Sequence, residues 1–138
     1  MADTTFSKEE KAAIKAAVAE KKAQQAGADA AAACDEAIAA MTGTDKELAQ
    51  AFHQLVTDNT DLAAKTWYGM PAYADADGKT VVAFKPGSKF KIRYATLEFQ
   101  QAATLDDGNV WPVGFALTKL DDADKERIAQ ILRAAVRR

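Results

Sequence analysis

Apolar positions along this chain shift from helical to strand spacing and back, and the shifts mark its elements. From Lys8 to Ala26 the larger apolar residues are Ile14 and Val18, four apart on a ground of alanine, the spacing of one helix face. Ser7 and Glu10 form a capping box at its start, and Gly27 offers a C-terminal stop. A second helix is predicted from Asp29 to Met41, with Cys34, Ile38 and Met41 on one face and Gly43 ending it. Thr44 and Glu47 repeat the capping box for a third helix, Asp45 to Thr57, in which Leu48, Phe52, Leu55 and Val56 form a core stripe.

Strand spacing follows. Thr66 to Ala74 reads as one strand that contains Gly69 and Pro71, so it is expected to be an edge or to carry a bulge. Asp75-Ala76-Asp77-Gly78 reads as a hairpin loop leading into a strand from Lys79 to Lys85. After Pro86-Gly87-Ser88, apolar and basic residues alternate from Lys89 to Ala95, the pattern of a half-buried third strand. Thr96 to Ala103 reads as a short helix, and Val110 to Leu117 as a fourth strand behind the Asp106-Asp107-Gly108-Asn109 turn. Asp121 or Asp122 caps a last helix with Ile128, Ile131, Leu132 and Ala135 on one face. The expected fold is α+β: a four-stranded, mostly antiparallel sheet packed by helices on one face. Residues 1–43 form an alanine-rich N-terminal helical extension, and residues 44–138 the α+β domain.

Composition sharpens this division. Nearly half of the 138 residues are apolar, 49%, against 8% aromatic. Alanine makes up the difference and fills 16 of the first 42 positions, where helices form readily but bury little area. Nine of the eleven aromatics lie between Trp67 and Phe115, so the core is expected there. A formal charge of −2 argues against wholesale coating of nucleic acid. No run approaches the roughly 20 apolar residues of a membrane span. The opening Met1–Thr5 has no basic segment followed by a hydrophobic run, and Cys34 is the single cysteine, so a cytoplasmic location is expected.

The candidate chemistry is that of binding. Trp67, Tyr68, Met70, Pro71 and Tyr73 surround Gly69, and strand alternation puts Trp67 and Tyr73 on one face with a gap between them for a flat ligand. Lys89, Lys91 and Arg93 would present three positive charges in a row, a stripe able to hold phosphate or carboxylate. The expected partner is a small anionic ligand or a protein. A Cys34–His53 pair would need contact and an orienting third group, and no phosphate loop or nucleophile elbow occurs. Asp75 and Asp77 resemble the opening of a calcium loop, but Pro86 stands where the bidentate glutamate belongs.

The segment Thr66-Trp67-Tyr68-Gly69-Met70-Pro71-Ala72-Tyr73, with Lys79–Phe84, Phe90–Tyr94 and Trp111-Pro112, resembles the YdhG-like family of small bacterial domains of unknown function. The resemblance runs from about Leu48 to Val136 and implies a small antiparallel sheet with packed helices. Some members of that family carry the label of frataxin-like iron chaperone. The resemblance therefore implies an alternative in which iron is held by carboxylates from Asp75, Asp77, Asp106, Asp107, Asp121, Asp122 and Asp124. A further alternative is an interaction module whose alanine-rich helices dock a partner or a second copy.

Overall fold

The structure is a computed structural model that describes residues 7–137, so the reading of the Met1–Thr5 opening lies outside the described residues. One long helix, α1 (Lys8–Ala39), replaces the two expected at this end. Ser7 caps it as predicted, its hydroxyl accepting from the Glu10 amide at 3.1 Å. Gly27 does not stop it. A glycine inside a helix costs about 1 kcal/mol relative to alanine, which the surrounding alanines absorb. Residues 8–29 are exposed, whereas Cys34 and Ile38, further along, are buried.

Gly43 takes a left-handed φ of 57° where the chain turns into α2 (Gly43–Asn59). Thr42 is the N-cap, without a side-chain bond, so the Thr44–Glu47 box does not form. The expected stripe is in place: Leu48, Phe52 and Val56 are buried and Leu55 is half-buried.

The sheet has five strands where the sequence reading expected four: β1 (Ala63–Trp67), β2 (Met70–Ala74), β3 (Thr80–Lys85), β4 (Ala95–Phe99) and β5 (Gly114–Leu117). They form an antiparallel meander in sequence order. The count differs because the segment read as one strand, Thr66 to Ala74, reverses at Tyr68-Gly69 and contributes to two. Two other assignments shift. Of the strand expected from Lys89 to Ala95 only Ala95 is in a strand, where it opens β4, and Thr96 to Phe99, expected as part of a short helix, continue that strand. α3 (Asp122–Ala135) closes the chain, with Asp121 and Asp124 forming a reciprocal capping box at 2.9 and 3.1 Å.

Strand register divides the sheet into two faces. Tyr73, Val82, Phe84, Leu97, Phe99 and Leu117 lie on the inner face and join buried residues of all three helices in one cluster. Phe52 sits at its centre, edge-on to Tyr73 at 5.6 Å and stacked on Phe84 at 6.4 Å. Burying each such side chain stabilises the fold by roughly 1.5–3 kcal/mol. The outer face carries small and polar residues, among them Lys65, Ala72, Ala83 and Glu98 in one row. α1 lies closest to β1, an approach that its alanines allow. Among the described residues no helix is long and apolar enough to cross a membrane.

Candidate functional site

The hairpin between β1 and β2 is closed by two residues. Trp67 pairs with Met70, and Tyr68 and Gly69 between them take φ values of 52° and 77°. Two left-handed residues in succession match the twist of a two-residue hairpin. Gly69 is there for the turn, not to open a gap between aromatics. Pro71 stands opposite Thr66, and the ladder to β3 begins at Ala72, so its missing amide hydrogen takes no bond from that ladder.

This turn separates the aromatics. Tyr73 faces inward and is buried, Trp67 is half-buried on the outer face, and Tyr68 is 81% exposed at the tip. The Trp67 and Tyr68 rings remain 5.2 Å apart. A left-handed backbone favours Gly or Asn, and a tyrosine there costs about 1 kcal/mol. Among the described non-glycine residues this conformation recurs at Lys91, φ 57°.

Lys91 belongs to the loop that replaces the expected basic strand. Gly87 and Ser88 donate their amides to the Asp45 carboxylate at 3.1 and 3.2 Å, and the Ser88 hydroxyl donates to it as well. A 3₁₀ turn follows at Ser88–Phe90, and the Ile92 amide returns to the Gly87 carbonyl at 3.0 Å. The chain folds so tightly here that a Cβ on Gly87 would lie 2.5 Å from the Tyr94 carbonyl oxygen. Lys89, Lys91 and Arg93 are all exposed but do not form a stripe. Arg93 lies over the Tyr94 ring at 5.3 Å, and Lys85 lies over Phe90 at 4.6 Å while pairing with Glu98 at 3.7 Å. Lys89 is the residue brought to the hairpin: its Nζ lies 3.5 Å from where a Cβ on Gly69 would be. The loop and the turn thus form one surface, with an ammonium beside Gly69, next to the exposed Tyr68 in the same turn.

The Cys34–His53 pair weighed from the sequence belongs to a second cluster, whose bridging residue and third group the sequence reading missed. The Tyr73 hydroxyl is 2.9 Å from His53 Nδ1, and His53 Nε2 is 3.8 Å from the Asp35 carboxylate. The Cys34 thiol faces the same hydroxyl. Cys34 and His53 are therefore joined through Tyr73, with Asp35 as the orienting group. Burial pushes the Cys34 thiol above its ordinary value and does the same, more strongly, to the Tyr73 phenol. Both stay protonated at neutral pH, so the cluster holds no thiolate nucleophile. Its outer end opens on a shallow groove of about 300 Å³ between α1 and α2, lined by Asp35, Ile38, Lys46, Gln50 and His53. Only contacts between residues 18 and more positions apart could have revealed it.

The aspartates are engaged locally. Asp75 accepts from the amides of Asp77 and Lys79 at 3.0 and 2.9 Å, which shapes the β2–β3 turn. Asp121 and Asp124 cap α3, and Asp122 lies in its first turn. The meander puts Asp75, Asp77, Asp106 and Asp107 at one end of the sheet and Asp121, Asp122 and Asp124 at the other. Among the described residues no three His, Cys, Asp or Glu side chains gather as a metal-holding group, so the carboxylates of the iron alternative do not converge. Comparison with protein-family models, curated proteins and solved structures finds no match for this chain.

Proposed function

We propose that this chain is a small, non-enzymatic, cytoplasmic binding domain whose contact surface is the Trp67-Tyr68-Gly69 turn together with Lys89. Its partner presents an acidic surface. The observation that supports this reading is the placement of Tyr68. It is a large aromatic, 81% exposed, held in a left-handed conformation at a projecting turn with the Lys89 ammonium alongside. The fold has no need of tyrosine there, since asparagine or glycine suits the turn better. Exposed aromatics with a neighbouring cation serve recognition, the ring supplying rigid contact area and the charge supplying orientation. A projecting turn fits a protein surface better than a small free anion, which is held in concave sites. The resemblance to the YdhG-like family, centred on the same Tyr68–Tyr73 segment, belongs to this proposal.

Binding of the full chain to poly-glutamate, followed by fluorescence, tests it. Lys89→Glu is expected to weaken binding about tenfold, as loss of a charge-assisted contact does. Tyr68→Asn should weaken it several-fold while raising stability by about 1 kcal/mol, because asparagine tolerates the left-handed site. Equal affinity in both variants and the parent chain would overturn the proposal.

A further inference from the structure

The two edges of the sheet differ. β1 has Lys65 within it and α1 beside it, two of the devices that keep an edge strand from pairing with other chains. The Gly114-Phe115-Ala116-Leu117 edge of β5 has no charge, proline or bulge within it. The Phe99 amide donates to the Val113 carbonyl at 2.8 Å, which sets the phase of the β4–β5 ladder. Phe115 and Leu117 therefore turn their backbone groups toward β4, while Gly114 and Ala116 turn theirs outward. Among the described residues nothing hydrogen-bonds those outward groups. Both residues are small and exposed, and a Cβ added to Gly114 would meet nothing within 4 Å.

A cavity of about 440 Å³ runs between this edge and α3. Buried Leu117 and Ile128 and half-buried Phe115 and Ile131 line its apolar part. Arg127 also lines it, and among the described residues it is in no ion pair. Asp124 is the carboxylate there, and it is already engaged with the Asp121 amide at 3.1 Å. The cavity thus offers backbone partners in strand register, an apolar trough for every second side chain, and a cation without a counter-charge.

We propose that β5 and α3 form a docking groove for an extended peptide segment of a partner protein, which adds to the sheet as a sixth strand. Its alternate side chains are apolar and enter the trough between Phe115 and Ile131, and an acidic residue of the segment meets Arg127. Only an extended backbone satisfies the outward groups of Gly114 and Ala116 together, and alternation of its side chains fits the single apolar wall.

The test uses the full chain and a short acetylated peptide of alternating valine and threonine in which one end valine, on the face turned to α3, is replaced by glutamate, followed by amide chemical shifts and by sedimentation. The amides of Gly114 and Ala116 are expected to move on titration. Ala116→Pro removes the outward donor while sparing the ladder to β4, and should weaken binding about tenfold. Arg127→Glu, on the exposed side of α3, should also weaken it, and substituting lysine for glutamate in the peptide should do the same. If Ala116→Pro does not fold, a peptide N-methylated at the amide facing β5 serves in its place and should not bind. The shifts of the Gly114 and Ala116 amides should be the same in Lys89→Glu, so failure at this edge is distinct from failure of the turn surface. Unmoved amides in β5, or full affinity in both Ala116→Pro and Arg127→Glu, would overturn the proposal. A chain that sediments as a dimer, and as a monomer once Ala116 is proline, would overturn it too, because a second copy would then occupy the edge.

Discussion

Tyr73 illustrates how much one hydroxyl can organise. Its ring belongs to the apolar core, and its oxygen joins a buried thiol on α1 to a half-buried imidazole on α2. Removing the oxygen leaves Cys34 and His53 without that partner, so Tyr73→Phe is expected to cost about 1–2 kcal/mol in urea unfolding. The cluster also sets an alkaline limit. The folded chain keeps the Cys34 and Tyr73 protons, whereas the unfolded chain loses its thiol proton above about pH 9. The two groups therefore contribute fully at neutral pH, and stability falls as pH rises past 9. Urea midpoints measured from about pH 7 to pH 10 should decline at the alkaline end. The decline should be shallower in Cys34→Ala.

At the scale of elements, what was legible in the sequence is what local chemistry decides. α3 begins and buries its face as read, because its cap and its stripe lie within a few turns of one another. The Leu48–Phe52–Val56 stripe holds for the same reason. The hairpin at Tyr68 was hidden because its first turn residue is a tyrosine where asparagine or aspartate would announce the turn. The basic loop was hidden for another reason: alternation from Lys89 to Ala95 favours a strand, but Asp45, 42 positions before Gly87, holds the chain in a tight turn. The candidate residues could thus be named from sequence, but not their arrangement. Replacing Asp45 with alanine removes the acceptor of three donors and should cost about 1–3 kcal/mol. Hydrogen exchange at Gly87 and Ser88 should quicken, and binding through Lys89 should weaken. Unchanged exchange there would show that the loop is held by other contacts.

Across the whole molecule, the meander sorts the connections by end. The connections carrying Tyr68 and Lys89 lie at one end of the strands, and those carrying Asp75, Asp77, Asp106 and Asp107 at the other. Asp121, Asp122 and Asp124 share the end that carries Tyr68 and Lys89, so the positive charge is local to the turn surface and does not extend over that end of the sheet. The long helix divides in a comparable way. Removing residues up to Asp29 takes away exposed helix and should change stability by about 0.5 kcal/mol or less. Removing residues up to Met41 also takes Cys34 and Ile38 from the core and should cost roughly 3–5 kcal/mol. Urea unfolding of the two truncations separates these cases. Equal losses would mean that the exposed part of α1 also packs on the domain.

The proposed function depends on the Tyr68 turn and Lys89 acting as one recognition surface. Amide chemical shifts of the full chain, titrated with poly-glutamate at low and at high salt, test it most directly. Tyr68, Gly69, Lys89 and Lys91 are expected to shift together, and the effect to weaken as salt screens the charges. Shifts that leave these four amides unmoved at low salt would contradict it.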